Sequence, residues 1–351
     1  MAKIYDYVLV GQGLAGSALA YHLIERGKSV MVIDNNAKIT SSKIAAGLFN
    51  PITGRKMVKT WKADVLFPYL KEYYTSLEEK LDAQFLYHMS IYRPFISLEE
   101  QNEWMGKSAS DEYSHFIVKV HQKQLYDFSK DIYGGVELGF SGYLDIPNYL
   151  NAVKNLLIST DSFWEHDFEP AKVKLEPDHV TYEDIMVKKL IFCDGLKSTQ
   201  NPYFSWLPFR PVKGEIIQMS SNLELNHILN RGVFVIKKGE SFYEVGSNYN
   251  NKQLDLEPTT EAREEILGKL TDLADFEYDI IHQKAGIRPA TLDRRPFIGT
   301  HPEFETIGIF NGLGTKGVSL SPYFAKHYVD YLEGEQELIP EVNISRYFSL
   351  Y

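Results

Sequence analysis

The chain has 351 residues, of which 44% are hydrophobic and 24% charged, with a formal net charge of −10 and a single cysteine. Its length exceeds what one compact core usually supports and points to two domains. The acidic balance gives no overall pull toward nucleic acid, one cysteine excludes an internal disulfide framework, and no stretch approaches the roughly 18 apolar residues of a membrane span. The expected setting is a reducing cytoplasm, with no signal segment ahead of the first strand.

In chain order, Tyr5 to Gly16 (Tyr-Asp-Tyr-Val-Leu-Val-Gly-Gln-Gly-Leu-Ala-Gly) reads as a strand running into a glycine turn and a helix, and Ser29 to Asp34 as a second strand. This is a dinucleotide-binding pattern: Gly11 permits the tight turn, Gly13 lets the backbone approach a pyrophosphate, and Gly16 lets the helix pack against the strand. Leu14 and Ala15 open the helix, whose free N–H groups and dipole would face the phosphates. Asp34 ends the second strand, where a carboxylate accepts from ribose hydroxyls and disfavours a 2′-phosphate. After a loop at 35–40, the stretch 41–54 is rich in small residues, Gly and Pro. Within it Ser41, Ser42, Ala45, Ala46, Gly47 and Leu48 suit close backbone approach to a ligand, the alternative being an ordinary flexible loop.

The basic run Arg55, Lys56, Lys59 and Lys62 is suited to a phosphate or an RNA backbone, or else forms a solvated helix face. Trp61 to Leu81 reads as one helix. Short β-like runs at 90–94 and 116–120 follow, then helical spacing from Leu144 to Ile158, and a buried strand from Lys189 to a turn at Gly195, with Cys193 as a small buried hydrophobe. The runs 212–217, 232–236 and 242–246 alternate as strands, and Thr259 to Ala274 is a helix opened by Thr and acids. Finally Ile307 to Gly317 is a strand entering a second glycine-rich turn, which contains Gly312, Gly314, Thr315, Lys316 and Gly317. The start of the helix that follows is open: Ser321 caps it with Pro322 in the first turn, or it starts earlier with Pro322 inside.

These changes of pattern predict an α/β (α+β) chain. A Rossmann-like dinucleotide-binding domain takes 1–82, 141–208 and 285–351, and a second, mainly antiparallel β substrate domain takes 83–140 and 209–284.

Over nearly its full length the chain resembles the FAD-dependent oxidoreductases of the D-amino-acid oxidase type, which include glycine oxidase, sarcosine oxidase and D-amino-acid dehydrogenase. The resemblance is carried by GQGLAG at 11–16, SSKIAAGL at 41–48, PVKGE at 211–215, YEVGSNY at 243–249, GIRPATLDRRPFIG at 286–299 and GLGTKG at 312–317. The GLG-x-x-G ending is also similar to the FAD domain of the bifunctional tRNA wobble-uridine modification enzyme. The resemblance implies a glutathione-reductase-type dinucleotide-binding fold holding FAD. That FAD is expected to be non-covalent, since no cysteine lies near 286–293. Ala45 to Leu48 would run along the isoalloxazine, and the 312–317 turn would aim N–H groups at the flavin N1 and C2 carbonyl edge. Lys316 would add positive charge there, unless it faces solvent. Arg288 would hold a substrate carboxylate, or else form a structural ion pair, with Arg294 and Arg295 close by in sequence. Tyr243 and Tyr249 would be substrate-side hydroxyls.

The implied activity is oxidation of a C–N bond in a small carboxylated amine by hydride transfer to flavin N5, followed by imine hydrolysis, with oxygen or a quinone as electron acceptor. Two alternatives stand beside it: oxidation of carboxymethylaminomethyl-uridine in tRNA, and a non-catalytic FAD-binding subunit of a larger dehydrogenase. An NAD-dependent dehydrogenase is disfavoured by the second glycine-rich turn.

Overall fold

A computed structural model describes residues 3–54 and 56–351. In chain order its helices are α1 (Leu14–Glu25), α2 (Ser41–Ile44), α3 (Ala63–Leu81), α4 (Leu98–Ser108), α5 (Ile146–Ser159), α6 (Thr260–Leu273) and α7 (Gly317–Leu332).

The first sheet is built on parallel strands, in the order Phe163–Glu165, Val30–Asp34, Lys3–Val10 and Ile185–Phe192. The far edge of Ile185–Phe192 is shared. Its first half pairs antiparallel with Val180–Tyr182, and its second half pairs parallel with Ile307–Asn311. Such strands are apolar runs because both faces are covered. Leu9 and Val32 join the core that contains α1, α3, α5 and α7, whereas Val8, Val10, Met31 and Ile33 join the opposite core around Phe204, Leu207 and Phe209.

The second sheet has eight strands in the order Asp279–Arg288, Val212–Ser220, Phe242–Gly246, Val233–Lys237, Ile228–Arg231, Ile91–Pro94, Gly135–Leu138 and Ile117–His121. All neighbours are antiparallel except Ile228–Arg231 beside Ile91–Pro94. Period-two alternation sorts its side chains. Ile217, Met219, Leu229, Val235, Tyr243 and Val245 pack toward α6. Ile91, Leu138, Ile216, Ile228 and Ile236 face the first domain and share its core.

Three expectations shift. The strand Asp279–Arg288 crosses the expected boundary at 284/285, because it pairs with Val212–Ser220 all the way to Arg288 and Pro289 then ends it. Arg288 is therefore a residue of the second sheet. The short strands Leu86–His88 and Gly142–Leu144, expected in different domains, pair with each other and with Leu48–Phe49. Leu144 ends that strand, so α5 begins at Ile146 with Asp145 as its cap.

Of the two starts left open for the last helix, the earlier one is found: α7 starts at Gly317 and keeps Pro322 inside. A proline there removes the N–H that would bond the carbonyl of Val318. The Tyr74 hydroxyl supplies the missing donor at 3.1 Å.

Candidate active site

Sterics at the first turn match the spacing of its glycines. Gly11 has φ +103°, and a Cβ on Gly16 would lie 1.9 Å from the Gly11 carbonyl oxygen, so α1 can start this close to its strand only without a side chain there. Gly13 differs, since the one atom near its absent Cβ is the Ser42 hydroxyl at 3.1 Å. Its open side is where a ligand can approach the backbone. Asp34 is held by two backbone donors, Gln12 N–H at 2.7 Å and Asn36 N–H at 2.6 Å, which leaves lone pairs for ribose hydroxyls. Buried Gln12 pins the turn to α5, donating to the Leu150 carbonyl at 2.9 Å and the Ser17 hydroxyl at 3.1 Å. No spacing rule singled it out.

Ser41 and Ser42 lie in α2, capped by Thr40, and Ser42 Oγ accepts from Leu14 N–H at 3.3 Å. Gly47 is required by the chain itself: its φ is +78°, and a Cβ would lie 1.9 Å from the Leu144 carbonyl oxygen. Ala46 is buried, Leu48 half-buried and Ala45 exposed. Ile44 covers Gly286, where an added Cβ would stand 3.0 Å from the isoleucine side chain. The small-residue segment therefore runs between the Gly142–Leu144 strand and the second sheet.

In the C-terminal turn, an added Cβ on Gly312 would lie 2.5 Å from Thr291, and one on Gly317 would lie 2.8 Å from the Leu14 side chain. The two glycine turns thus touch, and the N-termini of α1 and α7 are neighbours. Neither helix has a capping side chain or an acid in its first turn, whereas α2, α4, α5 and α6 are capped by Thr40, Ser97, Asp145 and Thr259. Two uncapped, adjoining N-termini fit a long anionic dinucleotide such as FAD. Asn311 orients the second turn, accepting from Gly312 N–H at 2.8 Å and donating to the Gly195 carbonyl at 2.9 Å and the Ser198 hydroxyl at 2.8 Å. Gly195, with φ +58°, contributes that carbonyl. Thr315 is exposed and Gly314 half-buried.

Lys316 does not face open solvent. Its Nζ donates to Thr53 Oγ1 at 3.1 Å and Thr60 Oγ1 at 3.0 Å. Burial, with Arg295 and Arg294 nearby, pulls it down to about 8.

Arg288 ends its strand and lays its guanidinium across Gly214, where an added Cβ would fall 2.1 Å from Nη1 and 2.2 Å from Nη2. Nη2 donates to Ser247 Oγ at 2.9 Å, and Cζ lies 5.0 Å from the Tyr249 ring centroid. Nη1 is buried without a partner. No carboxylate among the described residues pairs with Arg288, so the structural-ion-pair alternative has no acid to supply it. Burial lowers the guanidinium pKa. A partly desolvated guanidinium with one free nitrogen over a glycine floor has the donor geometry that suits a carboxylate.

The two tyrosines separate. Tyr249 is 65% exposed beneath Arg288. Tyr243 is fully buried in the α6-side core, donates its hydroxyl to the Leu223 carbonyl and pairs with Met219. At ~3.3 Å per residue, that is roughly 16 Å along the strand from Gly214. Its expected role at the substrate is corrected, because strand alternation turns it to the far face. Ser247, Gly214, Thr53 and Thr60 were missed. Gly214 was legible only through its pairing with Gly286, a contact between segments some 70 residues apart.

In the basic run, Arg55 lies outside the described residues. Lys59 pairs with Asp64 at 2.8 Å and belongs to the hairpin of Ile52–Thr53 and Val58–Lys59, so the run is not a helix face. Lys62 and Arg295 both stand over Trp61, at 5.5 Å and 4.2 Å. Among the described residues Lys62, Arg294, Arg295 and Lys316 have no ion-pair partner, Asp293 being taken by Arg346.

Comparison with known proteins agrees with this geometry. The family described as FAD dependent oxidoreductase (DAO) matches residues 6–331. A glycine oxidase of Pseudomonas aeruginosa is 28% identical over 139 residues, covering 38% of each chain. The tRNA 5-methylaminomethyl-2-thiouridine biosynthesis bifunctional protein of Psychrobacter cryohalolentis is 22% identical over 93% of this chain, which spans about half (53%) of that protein's length. The crystal structure of glycine oxidase from Bacillus cereus superposes with a TM-score of 0.77 at 20% identity, covering 95% of this chain and 96% of the other. Among the described residues no helix is long and apolar enough to cross a membrane.

Proposed function

This chain belongs to the DAO family of FAD-dependent oxidoreductases, and on that premise we propose that it oxidises the C–N bond of a small amine bearing a carboxylate. FAD, when bound, supplies the hydride acceptor, and the protein supplies orientation and electrostatics. Gly11, Gly13, Leu14, Ala15, Gly16 and Asp34 would hold the dinucleotide end. Ser41, Ser42, Ala45 to Leu48, Gly195 and Gly312 to Gly317 would line the rest. The uncapped α7 N-terminus and Lys316 would supply positive potential to the negative charge that a bound flavin gains on reduction. Arg288, braced by Ser247 and backed by Tyr249, would take the substrate carboxylate and fix the reacting carbon, so that position rather than a side-chain acid or base controls the rate. The single observation that carries this reading is the unpartnered Arg288 guanidinium. Oxygen or a quinone would accept the electrons.

A second reading, oxidation of a carboxymethylaminomethyl group on tRNA, would use the same arginine. It is supported by the unpaired cations Lys62 and Arg295 around Trp61. Anaerobic bleaching of the bound flavin near 450 nm by glycine, sarcosine, proline, D-amino acids and bulk tRNA decides between them. One free carboxylated amine should bleach it. Bleaching by tRNA alone, with salt-dependent binding, selects the second reading. A bound flavin that no amine reduces points to a non-catalytic subunit.

A further inference from the structure

A second arginine on the same sheet face also lacks an anion. Arg93 lies in the Ile91–Pro94 strand, and the pairing of Ile228 with Ile91 and Leu229 with Tyr92 sets Asn230 beside it. Asn230 pairs with Phe234, Phe234 with Gly246, and Gly246 with Ile216. Directly paired residues point to one side of a sheet. Ile216, Gly246, Phe234, Asn230 and Arg93 therefore form one row, on the face that also bears Gly214 and the Arg288 guanidinium. Tyr92, one residue away, turns to the opposite face, where its hydroxyl meets Asp131.

Arg93 is only 9% exposed. Of its five N–H donors, one reaches the Asn230 carbonyl at 3.4 Å, and Nε is buried with no partner. The nearby Glu100 is occupied by Arg231 at 3.0 Å. Burial, with Arg231 close by, pushes the Arg93 guanidinium down to about 10. A buried cation that shares its one nearby carboxylate with Arg231 and makes no ion pair of its own is costly, and one that reaches over the neighbouring strand on the face that bears a second such cation has the form of a receptor waiting for charge. Between the two lie Phe234 and Gly246, an apolar floor in which a Cβ on Gly246 would meet the phenyl ring at 3.1 Å. Arg93 donates to the Ile228–Arg231 strand and Arg288 to the residue after Phe242–Gly246. The Arg288 guanidinium itself lies over Gly214, one strand further, so the anion-binding groups stand three strand spacings, roughly 14 Å, from each other across the sheet.

We propose that Arg93 is a second anion-binding residue of the substrate cleft, selecting amines that carry, besides the carboxylate held by Arg288, another carboxylate or phosphate about 14 Å away. The proposal rests on the reading of Arg288 as carboxylate anchor, and the test separates the two. The FAD-loaded protein is titrated with dodecanoate, dodecanedioate and 12-phosphonododecanoate, unreactive ligands of about the right length, and the shift of the bound flavin's absorbance reports binding. Dodecanedioate or the phosphonate should bind about tenfold more tightly than dodecanoate, and which of the two binds better identifies the second anion. Arg93→Met should bring that ratio to near one, while Arg93→Lys should keep part of it and serves if the methionine variant does not fold. A wild-type ratio near one, or an unchanged ratio in Arg93→Met, overturns the role of Arg93. If dodecanoate binds Arg288→Met as well as wild type, the Arg288 anchor itself has failed and the proposal goes with it.

Discussion

Replacing Gly214 by alanine places a methyl carbon 2.1–2.3 Å from three atoms of the Arg288 guanidinium. Those atoms are the far end of a flexible side chain, so the arginine can swing off the sheet and the fold should survive. What it gives up is its position: the 2.9 Å bond to Ser247 and the face of Tyr249. A hydrogen bond to a charged group contributes about 1.5–3 kcal/mol, and every ~1.4 kcal/mol is a decade in affinity. Substrate binding in Gly214→Ala should therefore weaken roughly tenfold to 150-fold. The assay is the amine concentration that half-bleaches the flavin, measured beside flavin stoichiometry and melting temperature. Flavin content should stay near wild type, since the glycine turns that would hold FAD are untouched. A half-bleaching concentration within about twofold of wild type, in a folded and flavin-loaded variant, would refute the assignment of Arg288.

Gly16→Ala drives a Cβ into a backbone carbonyl at 1.9 Å, where nothing flexible can yield. It should abolish flavin retention and cost roughly 1–3 kcal/mol of stability, read by cofactor content and denaturant titration. Tyr74→Phe removes the donor to the Val318 carbonyl opposite Pro322 and should cost about 1–3 kcal/mol. In a Pro322→Ala background the helix supplies its own N–H, so the same change should cost less, and equal costs would dismiss this role for Tyr74. Lys316 sits near 8 in the folded chain, below its unfolded value of about 10.4. The unfolded state then binds the extra proton between those values, so apo-protein stability should rise with pH across that window. Lys316→Met should lose the rise, as urea midpoints at pH 7.5 and 10 would show.

Local patterns made the ligand-facing turns legible. The spacing of Gly11, Gly13 and Gly16, the acid at Asp34 and the second turn at Gly312 to Gly317 each encode a constraint within a few residues of itself. Strand alternation likewise gave most of the second sheet. What stayed hidden depends on partners far away in sequence. Pro322 leaves the start of the last helix open in the sequence, and the donor that accommodates it inside α7, Tyr74, comes from α3. Tyr243 and Tyr249 look alike until pairing with Met219 turns one into the core. Gly214 carries a site role only because Gly286 lies across from it in the neighbouring strand. The basic run reads as a helix face because its hairpin of Ile52–Thr53 and Val58–Lys59 is too short to show alternation.

The most direct test of the central claim compares a carboxylated amine with its own carboxamide, in wild type and in Arg288→Met, by anaerobic bleaching of the bound flavin. The account predicts bleaching of wild type by the carboxylate at concentrations at least ~10-fold below those needed for the amide, with that preference gone in Arg288→Met. Equal response to acid and amide in wild type, or a preference that survives the loss of Arg288, would contradict it.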